Sequence, residues 1–308
     1  PSVIETFKIR SKVISYVRNY LDNREFLEME TPILNSKFGG AVAKPFKTYC
    51  NDSKQDMYMR IAPELHLKEL IIGGLERVYE IGKQFRNESK SKRHNPEFTS
   101  VEFYMTYIDY HDLMVMAEEL LSGLAMKLKS SYVVKYLDKE IDFTPPFKRI
   151  DIINELERCT GEQFSFEDFN CMDFYHFLNG LCVKNKIECE NPKTISRLLD
   201  KLIGHFIEPQ CINPTFLINH PLIMSPLSKH NRNDGRLAER FELFVNGIEI
   251  SNAYTELNNH VVQEKAFRVQ QKDKDQGDDE IPVPDEDYIE AMRYGLPPTG
   301  GCGIGIDR

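Results

Sequence analysis

Two glutamates flank an Asn-Gly turn in an arrangement that can bind a hard divalent cation. In RFELFVNGIEISNAYTEL (240–257), apolar residues alternate on both sides of Asn246-Gly247, a two-residue sequence typical of β-hairpins. Regular pairing around this turn sets Glu242 opposite Ser251 and makes Glu242 and Glu249 diagonal neighbours, with Cβ atoms about 7 Å apart. Two such carboxylates can share Mg²⁺ with phosphate oxygens. The hairpin alone leaves a plain alternative open, namely two solvated glutamates on an outer face.

A second group of candidates lies on two predicted strands, residues 78–86 and 97–109, and on the polar loop NESKSKRHNP between them. Arg86 ends the first strand, and Glu102 and Tyr104 share one face of the second. The basic residues of the loop are Lys90, Lys92, Arg93 and His94. A basic loop over a sheet can receive phosphates, although it can equally be a solvated hairpin tip.

The other chemical signals are weak when they are taken one at a time. The last eight residues, GCGIGIDR, are rich in glycine but match neither a P-loop nor a dinucleotide fingerprint. Phe98 can stack on a base, although a phenylalanine in a strand is more often part of the core. The sequence contains no zinc-protease, nucleophile-elbow or kinase signature.

Composition restricts the class of protein. The chain has 308 residues, of which 41% are hydrophobic, so a disordered chain and a disulfide-stapled mini-domain are excluded. Its 39 basic and 48 acidic residues give a net charge of −9, so a nucleic acid can be held only through a local basic patch. Seven scattered cysteines predict a reducing, cytoplasmic compartment. The longest unbroken apolar run, residues 113–117, is far shorter than the ~20 residues of a membrane span, so no membrane association is expected.

Hydrophobic periodicity predicts the elements that position these residues. Helices are expected over residues 3–22 and 112–128, and a helical region over about 150–212. A charged helix and linker follow over residues 263–287, and a short helix ends near Gly295. Long antiparallel hairpins with helices grouped outside them predict an α+β fold and argue against alternating βαβ units.

Several segments, in order along nearly the whole chain, resemble a class II aminoacyl-tRNA synthetase. FLEMETPIL with Pro32 resembles motif 1, FRNE (85–88) and HNPEFTSVEFY (94–104) resemble motif 2, and GIGIDR (303–308) resembles motif 3. FGGAVAKPF (38–46), RIAPEL (60–65) and NAYTELN (252–258) narrow the resemblance to the lysyl-tRNA synthetases of subclass IIb. The resemblance implies a mostly antiparallel sheet flanked by helices. It also implies a two-step reaction, in which L-lysine reacts with ATP to give lysyl-adenylate and the lysyl group then moves to the 3′ end of tRNA(Lys).

The resemblance also implies how ATP and Mg²⁺ are bound. Arg86 grips the α-phosphate and the substrate carboxylate, for which its bidentate, permanently charged guanidinium is suited. Arg308 stacks on the adenine opposite Phe98 and lies near the γ-phosphate, so Arg86 and Arg308 are the implied catalytic residues. The other implied ATP contacts are Asn87 and Glu88 at the adenine, His94 and Asn95 at the distal phosphates, and Glu249, Ile250, Gly305, Ile306 and Asp307. Glu242 and Glu249 are the implied Mg²⁺ ligands, in agreement with the hairpin geometry.

Lysine carries two ammonium groups, and burial of either one requires a carboxylate partner. By resemblance, the ε-ammonium is received by Glu102, Tyr104 and Glu256, and the α-ammonium by Glu64 and the carbonyl of Gly40. Asn252 helps to bind the substrate carboxylate. In a regular hairpin Asn252 faces away from Glu249, because their spacing is odd. We therefore predict a β-bulge near Ser251.

The resemblance covers residues 1–308 as one catalytic domain with a helical insertion at about 150–212. The family's N-terminal anticodon-binding β-barrel and the helix expected after Arg308 are not in the sequence, and the loop SKSKR (89–93) departs from the family pattern. Motif 1, including Pro32, implies a homodimer built through that region.

Two alternatives remain. One is another subclass IIb ligase, aspartyl- or asparaginyl-tRNA synthetase, although an aspartate enzyme would need cationic residues where Glu102 and Glu256 stand. The other is a non-catalytic, synthetase-like binding module, which would be expected to lose Arg86, Arg308 or the metal carboxylates.

Overall fold

The computed structural model describes residues 2–91, 94–275 and 280–308. Two compact units can be distinguished. The first unit comprises Pro1–Ile108 and Glu256–Arg308, and the second comprises Asp109–Thr255.

The helices are α1 (Ser2–Asp22), α2 (Glu64–Ile72), α3 (Tyr110–Lys129), α4 (Ile152–Thr160), α5 (Met172–Lys184), α6 (Ile195–Phe206), α7 (His260–Asp275) and α8 (Glu286–Arg293). The strands are β1 (Leu27–Glu28), β2 (Leu34–Asn35), β3 (Lys47–Cys50), β4 (Gln55–Met59), β5 (Arg77–Phe85), β6 (Glu97–Thr106), β7 (Val133–Tyr136), β8 (Lys139–Asp142), β9 (Lys148–Asp151), β10 (Thr215–Ile218), β11 (Arg240–Val245), β12 (Ile248–Thr255) and β13 (Thr299–Gly305). None of the described helices has both the length and the apolar composition needed to cross a lipid bilayer.

Four strands of the first unit run in the order β1-β5-β6-β13. Only the β1–β5 pair is parallel, and the other two pairs are antiparallel. The register places Glu102 opposite Glu80 on one side and opposite Gly303 on the other. Because directly opposed residues share a face, these three positions lie on the same side of the sheet.

The two faces of this sheet differ in chemistry. On one face the side chains of Tyr79, Val101 and Phe103 are buried, and the Phe103 ring meets Phe26 edge to face at 5.7 Å. The opposite face presents Glu102 and Tyr104, two residues apart on β6. This alternation follows from the two-residue period of a strand. It makes one side of the sheet a core and the other side a polar floor.

Helix α2 packs against β6 and α8, next to the polar floor. It begins at Glu64, directly after Pro63, with no side-chain cap. Glu64 and Lys68 are four residues apart, so they lie on the same side of the helix. Both side chains are buried, which is unusual for charged residues and marks this side of the helix as part of a site.

In the second unit the strand order is β12-β11-β10-β9, with only the β9–β10 pair parallel. Helices α4–α6 lie within the region predicted to be helical, and their buried apolar residues form one core that includes Phe174, Leu198 and Leu202. That this region is an insertion stays a prediction.

The predicted α+β fold, with a mostly antiparallel sheet flanked by helices, is confirmed. The helices expected over 3–22 and 112–128 are α1 and α3, and the charged helix expected from residue 263 is α7. The strand expected over 97–109 ends earlier, at Thr106, because Tyr107 has a positive φ of 62°, which interrupts the extended backbone.

The hairpin register required a correction. Glu242 pairs with Asn252 and not with Ser251, as regular pairing had suggested. The ladder shifts between Leu243 and Phe244, opposite Ser251 and Glu249, so Ile250 is the extra residue of a β-bulge. The bulge predicted near Ser251 is thus confirmed. It reverses the facing of the residues beyond it, so the register places Asn252, Glu242 and Glu249 on one face.

Candidate active site

A buried lysine joins two of the predicted substrate-binding carboxylates. Lys68 Nζ donates hydrogen bonds to Glu64 Oε1 and Glu256 Oε2, each at 2.8 Å, and the Lys68 side chain is 0% exposed. The Tyr288 ring of α8 lies against the same ammonium group, with its centroid 5.4 Å from Nζ. Sequence reasoning did not single out Lys68. The signal available was a lysine four residues after Glu64 in the otherwise largely apolar helix ELHLKELII.

The second carboxylate oxygen of Glu256 points at the polar floor without a partner. Glu256 is 1% exposed, and its Oε1 accepts no hydrogen bond from any residue that the structure describes. A Cβ atom at Gly301 would collide with this oxygen and with the Tyr104 ring, so glycine is required there. Burial, together with repulsion from Glu64 and Glu102, raises the pKa of Glu256 to about 8 against the opposing effect of Lys68. An unpaired buried carboxylate is a ready acceptor for a cation.

Glu102 is the third predicted carboxylate, and its electrostatics link it to the other two. Burial and the charge of Glu64 raise its pKa to about 8, while Tyr104 and the guanidinium groups of Arg86 and Arg60 act in the opposite direction. Tyr104 donates its hydroxyl hydrogen to Glu102 Oε2 at 3.1 Å. We refer to Glu64, Glu102 and Glu256 as the carboxylate cluster.

Gly40, the remaining predicted contact for the α-ammonium, lies beside Glu64. A Cβ atom at Gly40 would be 3.1 Å from the Glu64 Cβ and 3.4 Å from the Ala62 Cβ. Its φ of +82° also disfavours other residues. The structure therefore brings Gly40 to the start of α2, as its predicted role requires.

A buried ion pair, which sequence reasoning also missed, lies beside the carboxylate cluster on the strand next to Glu102. Arg60 Nη1 lies 2.5 Å from Glu80 Oε1 and 2.9 Å from Thr31 Oγ1, and both Arg60 and Glu80 are buried. Thr31 in turn donates its hydroxyl hydrogen to Glu80 Oε2 at 2.6 Å. Because Glu80 is opposite Glu102, its pairing with Arg60 keeps a further uncompensated negative charge away from this position.

The residues predicted to hold ATP in the first unit fall into two groups, of which the first centres on Arg86. Arg86 Nε donates to the carbonyl oxygen of Ile61 at 3.3 Å, and its guanidinium lies over the Phe98 ring, 5.2 Å from the centroid. The backbone nitrogen of Asn87 donates to the carbonyl of Lys44 at 2.7 Å, whereas the side chains of Asn87 and Glu88 are exposed. A cation held against an aromatic ring is available to an incoming anion.

The second group gathers at the end of β13. Arg308 Nη2 lies 3.3 Å from His94 Nε2, and Ser91 Oγ lies 2.9 Å from His94 Nδ1. Asn95 is bonded locally, since its side-chain amide donates to the Glu97 carbonyl at 2.8 Å. Lys92 and Arg93, from the same basic loop, lie outside the described residues.

Asp307 has an anchoring contact that sequence reasoning did not foresee. Its carboxylate accepts a hydrogen bond from the Thr99 amide at 2.6 Å and from Arg10 Nη1 at 2.5 Å. The Ile306 amide donates to the Thr99 carbonyl at 2.9 Å, and Gly305 is paired with Ser100. These bonds fix the strand end from which Arg308 extends.

The predicted metal ligand Glu242 belongs to the second unit and already has two cationic or polar neighbours. Its Oε1 lies 2.5 Å from Arg240 Nη2, and its Oε2 lies 3.3 Å from His220 Nε2. Burial favours the neutral form, but Arg240 and His220 outweigh it and lower the pKa of Glu242 to about 2. Arg240 Nε also donates to Asn252 Oδ1 at 2.9 Å. Neither Arg240 nor His220 was predicted to contribute.

These residues fit a partial Mg²⁺ ligand set. Glu242 is ionised, its donors are hard oxygen atoms, and the register brings Glu249 to the same face. Within the described residues no three His, Cys, Asp or Glu side chains are grouped so that they could hold a metal by themselves. Phosphate oxygens or water would therefore have to complete the coordination.

Comparison with known proteins agrees with this arrangement. A protein from Encephalitozoon cuniculi named "Probable lysine--tRNA ligase, cytoplasmic" is 52% identical over 98% of this chain and 61% of its own length. "Lysine--tRNA ligase cla4" from Cladosporium cladosporioides is 49% identical over 99% of this chain and 52% of its own, and a "Lysine--tRNA ligase" from Staphylococcus epidermidis is 46% identical over 99% and 60%. The chain spans about 60% of the length of the curated relatives it matches first.

The family comparison covers the whole chain. Residues 1–308 match the family described as "tRNA synthetases class II (D, K and N)". The two faces of the four-stranded sheet, the carboxylate cluster and the matched sequence thus agree, and this chain belongs to the class II tRNA synthetases (D, K and N).

Proposed function

We propose that the chain activates L-lysine with ATP and transfers the lysyl group to tRNA(Lys), as a lysine–tRNA ligase. The observation that carries this proposal is the carboxylate cluster, in which Glu102 has a raised pKa and Glu256 Oε1 is buried without a hydrogen-bond partner among the described residues. A cationic substrate compensates such groups when they are ionised. The names of the three relatives support the same substrate.

In the first step, a carboxylate oxygen of lysine attacks the α-phosphorus of ATP. The bond to the bridging oxygen of pyrophosphate breaks, and lysyl-adenylate and pyrophosphate result. Because the attacking carboxylate is already ionised, the step needs no general base, and catalysis rests on positioning and charge neutralisation. Arg86 supplies the permanent positive charge for both the α-phosphate and the substrate carboxylate.

Recognition of lysine divides its two ammonium groups between different partners. We assign the ε-ammonium to Glu102, Tyr104 and Glu256, and the α-ammonium to Glu64 and the Gly40 carbonyl. Asn252 assists with the substrate carboxylate. A neutral or acidic side chain would leave buried carboxylates unpaired, which costs several kcal/mol, so discrimination against such amino acids is expected to be strong.

For ATP, the proposed contacts are those of the motif 2 and motif 3 segments. Arg308 and Phe98 hold the adenine, His94 and Asn95 hold the distal phosphates, and Asn87, Glu88, Ile250, Gly305 and Ile306 complete the nucleotide contacts. Asp307 contributes by anchoring the end of β13 through its bonds to Thr99 and Arg10. Glu242 and Glu249 would hold Mg²⁺, which when bound offsets the negative charge of the phosphates.

The second step transfers the lysyl group to tRNA(Lys). A hydroxyl of the 3′-terminal ribose attacks the carbonyl carbon of the adenylate, and AMP leaves. We also propose a homodimer built through the motif 1 region around Pro32, and a cytoplasmic location, which the name of the E. cuniculi relative supports. The extent of the catalytic domain over residues 1–308 and the helical insertion at about 150–212 are part of the same proposal.

Both alternatives are less well supported. An aspartate- or asparagine-specific ligase would place an acidic or neutral side chain against three carboxylates and only one internal ammonium group. A non-catalytic module has no need for Arg86 and Arg308, and both are present.

Amino-acid-dependent exchange of pyrophosphate into ATP tests the proposal. We expect exchange with lysine and not with aspartate, asparagine or arginine, and we expect it to be lost in Arg86→Ala. Glu97→Gln, an exposed change on the same β6 strand, serves as a matched control for Glu102→Gln, which should abolish exchange. Equal exchange with aspartate would refute the lysine assignment.

A further inference from the structure

The described part of the chain places a full positive charge inside the carboxylate cluster before any substrate is present. Lys68 is 0% exposed and bonds two glutamates at once, one from its own helix α2 and one from the segment that follows β12. Its pKa lies well above the usual lysine value, since the carboxylates outweigh the cost of burial. A buried charge with two short ion pairs is expensive to build, so its presence calls for an explanation beyond stability.

The charges in the cluster can be counted. With a cation bound and the carboxylates deprotonated, three carboxylates and one ammonium of the protein give a net charge of −2, because the neighbouring Arg60–Glu80 pair is neutral. Lysine brings two ammonium groups, and its carboxylate is assigned to Arg86. The cluster with Lys68 therefore matches the substrate, whereas the cluster without Lys68 would carry one excess negative charge.

The two carboxylate oxygens of Glu256 have different surroundings. Lys68 holds Oε2, and Oε1 is left pointing toward Gly301 and the Tyr104 ring. Lys68 also donates to Glu64 Oε1, so the same ammonium group fixes the position of both carboxylates. A carboxylate fixed at one oxygen cannot rotate away, so its other oxygen is preorganised for a ligand.

From these contacts we propose that Lys68 is a positioning and charge-matching residue for lysine recognition: it orients Glu256 and Glu64 and sets the cluster to the charge of two ammonium groups. The inference rests on the proposed function and adds a specificity determinant to it. The groups that face Lys68 are Glu64 on α2, Glu256, and Tyr288 on α8, and Glu102 on β6 acts on the same carboxylates.

The test begins with Lys68→Met, which keeps most of the length of the side chain and removes its charge. We measure KM for lysine, KM for ATP and kcat by pyrophosphate exchange at pH 7 and pH 8.5, in the full 308-residue chain. Without the ammonium group the carboxylates retain a proton more strongly. KM for lysine should therefore rise about tenfold or more at pH 7, less at pH 8.5, while KM for ATP stays within about twofold. Lys83→Met, a change of the same chemistry at an exposed lysine, should leave all values unchanged.

A double-mutant cycle keeps the test decisive if Lys68→Met folds poorly. In Glu64→Gln the cluster has lost one carboxylate, so removal of Lys68 from that background returns its charge to −2. The double variant should have a KM for lysine close to that of Glu64→Gln, whereas Lys68→Met raises the KM of the wild type about tenfold or more.

The outcomes separate this inference from the proposed function. If wild type exchanges pyrophosphate with lysine but Lys68→Met has the same KM and pH profile, or if the two substitutions are strictly additive, the inference is overturned and the function stands. If wild type shows no response to lysine, the proposed function fails and the role of Lys68 fails with it.

Discussion

At the scale of single residues, the decisive feature is a set of acids held where water is scarce. Glu256 is 1% exposed, and burial together with repulsion from Glu64 raises the pKa values of both Glu256 and Glu102 to about 8. Near neutral pH such groups tend to retain protons until a cation arrives. Ionisation of these carboxyls therefore prepares the site for a cation but lowers the stability of the folded protein.

This competition predicts a pH-dependent effect of Glu102→Gln on stability. A carboxyl whose pKa rises from 4.5 to about 8 on folding contributes stability below pH 4.5 and loses it as the pH rises through about 8. The variant cannot ionise. It should therefore match wild type at pH 5 and exceed its free energy of unfolding by about 1–3 kcal/mol at pH 9.

Denaturant unfolding at both pH values measures this difference. Glu97→Gln, which changes an exposed glutamate on β6, should show no such trend. A parallel pH dependence in Glu102→Gln and wild type would show that Glu102 is not buried in its acidic form.

At the scale of elements, the alternation of strand β6 and the glycines of strand β13 build the floor of the site. Gly301, Gly303 and Gly305 are paired with Tyr104, Glu102 and Ser100, so β13 carries no side chain beside these three residues. Space over Glu102 and Tyr104 is thereby preserved.

Gly301→Ala should therefore impair lysine binding selectively. The added methyl group would meet Glu256 Oε1 and the Tyr104 ring, both of which belong to the proposed ammonium site. We expect KM for lysine in pyrophosphate exchange to rise about tenfold or more and KM for ATP to change little. Gly180→Ala, in α5 where a Cβ meets no atom within 4 Å, should leave both constants unchanged and stabilise the chain by about 0.5–1 kcal/mol. Equal effects on the two KM values would contradict the assignment of Gly301.

The elements also show how far a sequence can be interpreted. The hairpin at Asn246-Gly247 and the strands around the basic loop are encoded by local signals, namely turn chemistry and two-residue alternation, and they were predicted. The bulge at Ile250 was predicted only approximately, near Ser251, and only because regular pairing would have turned Asn252 and Glu249 to opposite faces. Lys68, Arg60 and Arg240 were missed because their importance arises from burial or from partners elsewhere in the sequence, which no local pattern reveals. Lys68 bonds Glu256, Arg60 bonds Glu80, and Arg240 bonds Asn252.

At the scale of the whole molecule, a homodimer through the motif 1 region is the prediction with the clearest physical basis. Helix α1 exposes Val3, Ile4 and Phe7, and the segment after β1 exposes Ile33 and Leu34. Apolar residues grouped on a surface are typical of an interface between subunits.

Sedimentation equilibrium tests the dimer. We expect a mass of twice 35.8 kDa for wild type and a shift toward 35.8 kDa for Phe7→Glu. The new carboxylate would be buried at the interface without a partner, which weakens the association of the subunits. Val183→Glu, at an exposed apolar position on α5, is the matched control and should not change the mass. A wild type that stays monomeric at high concentration would refute the prediction.

Calorimetric titration of the chain with L-lysine at pH 7, in buffers that differ in ionisation enthalpy, tests whether the carboxylate cluster receives the ammonium groups of lysine. Glu102 and Glu256, whose pKa values are about 8, must give up protons when an ammonium group binds, so lysine should bind with net proton release. Norleucine, which lacks the ε-ammonium, should bind far more weakly. Binding of norleucine as tight as that of lysine, or lysine binding without proton release, would refute the assignment of the carboxylate cluster to the ammonium groups.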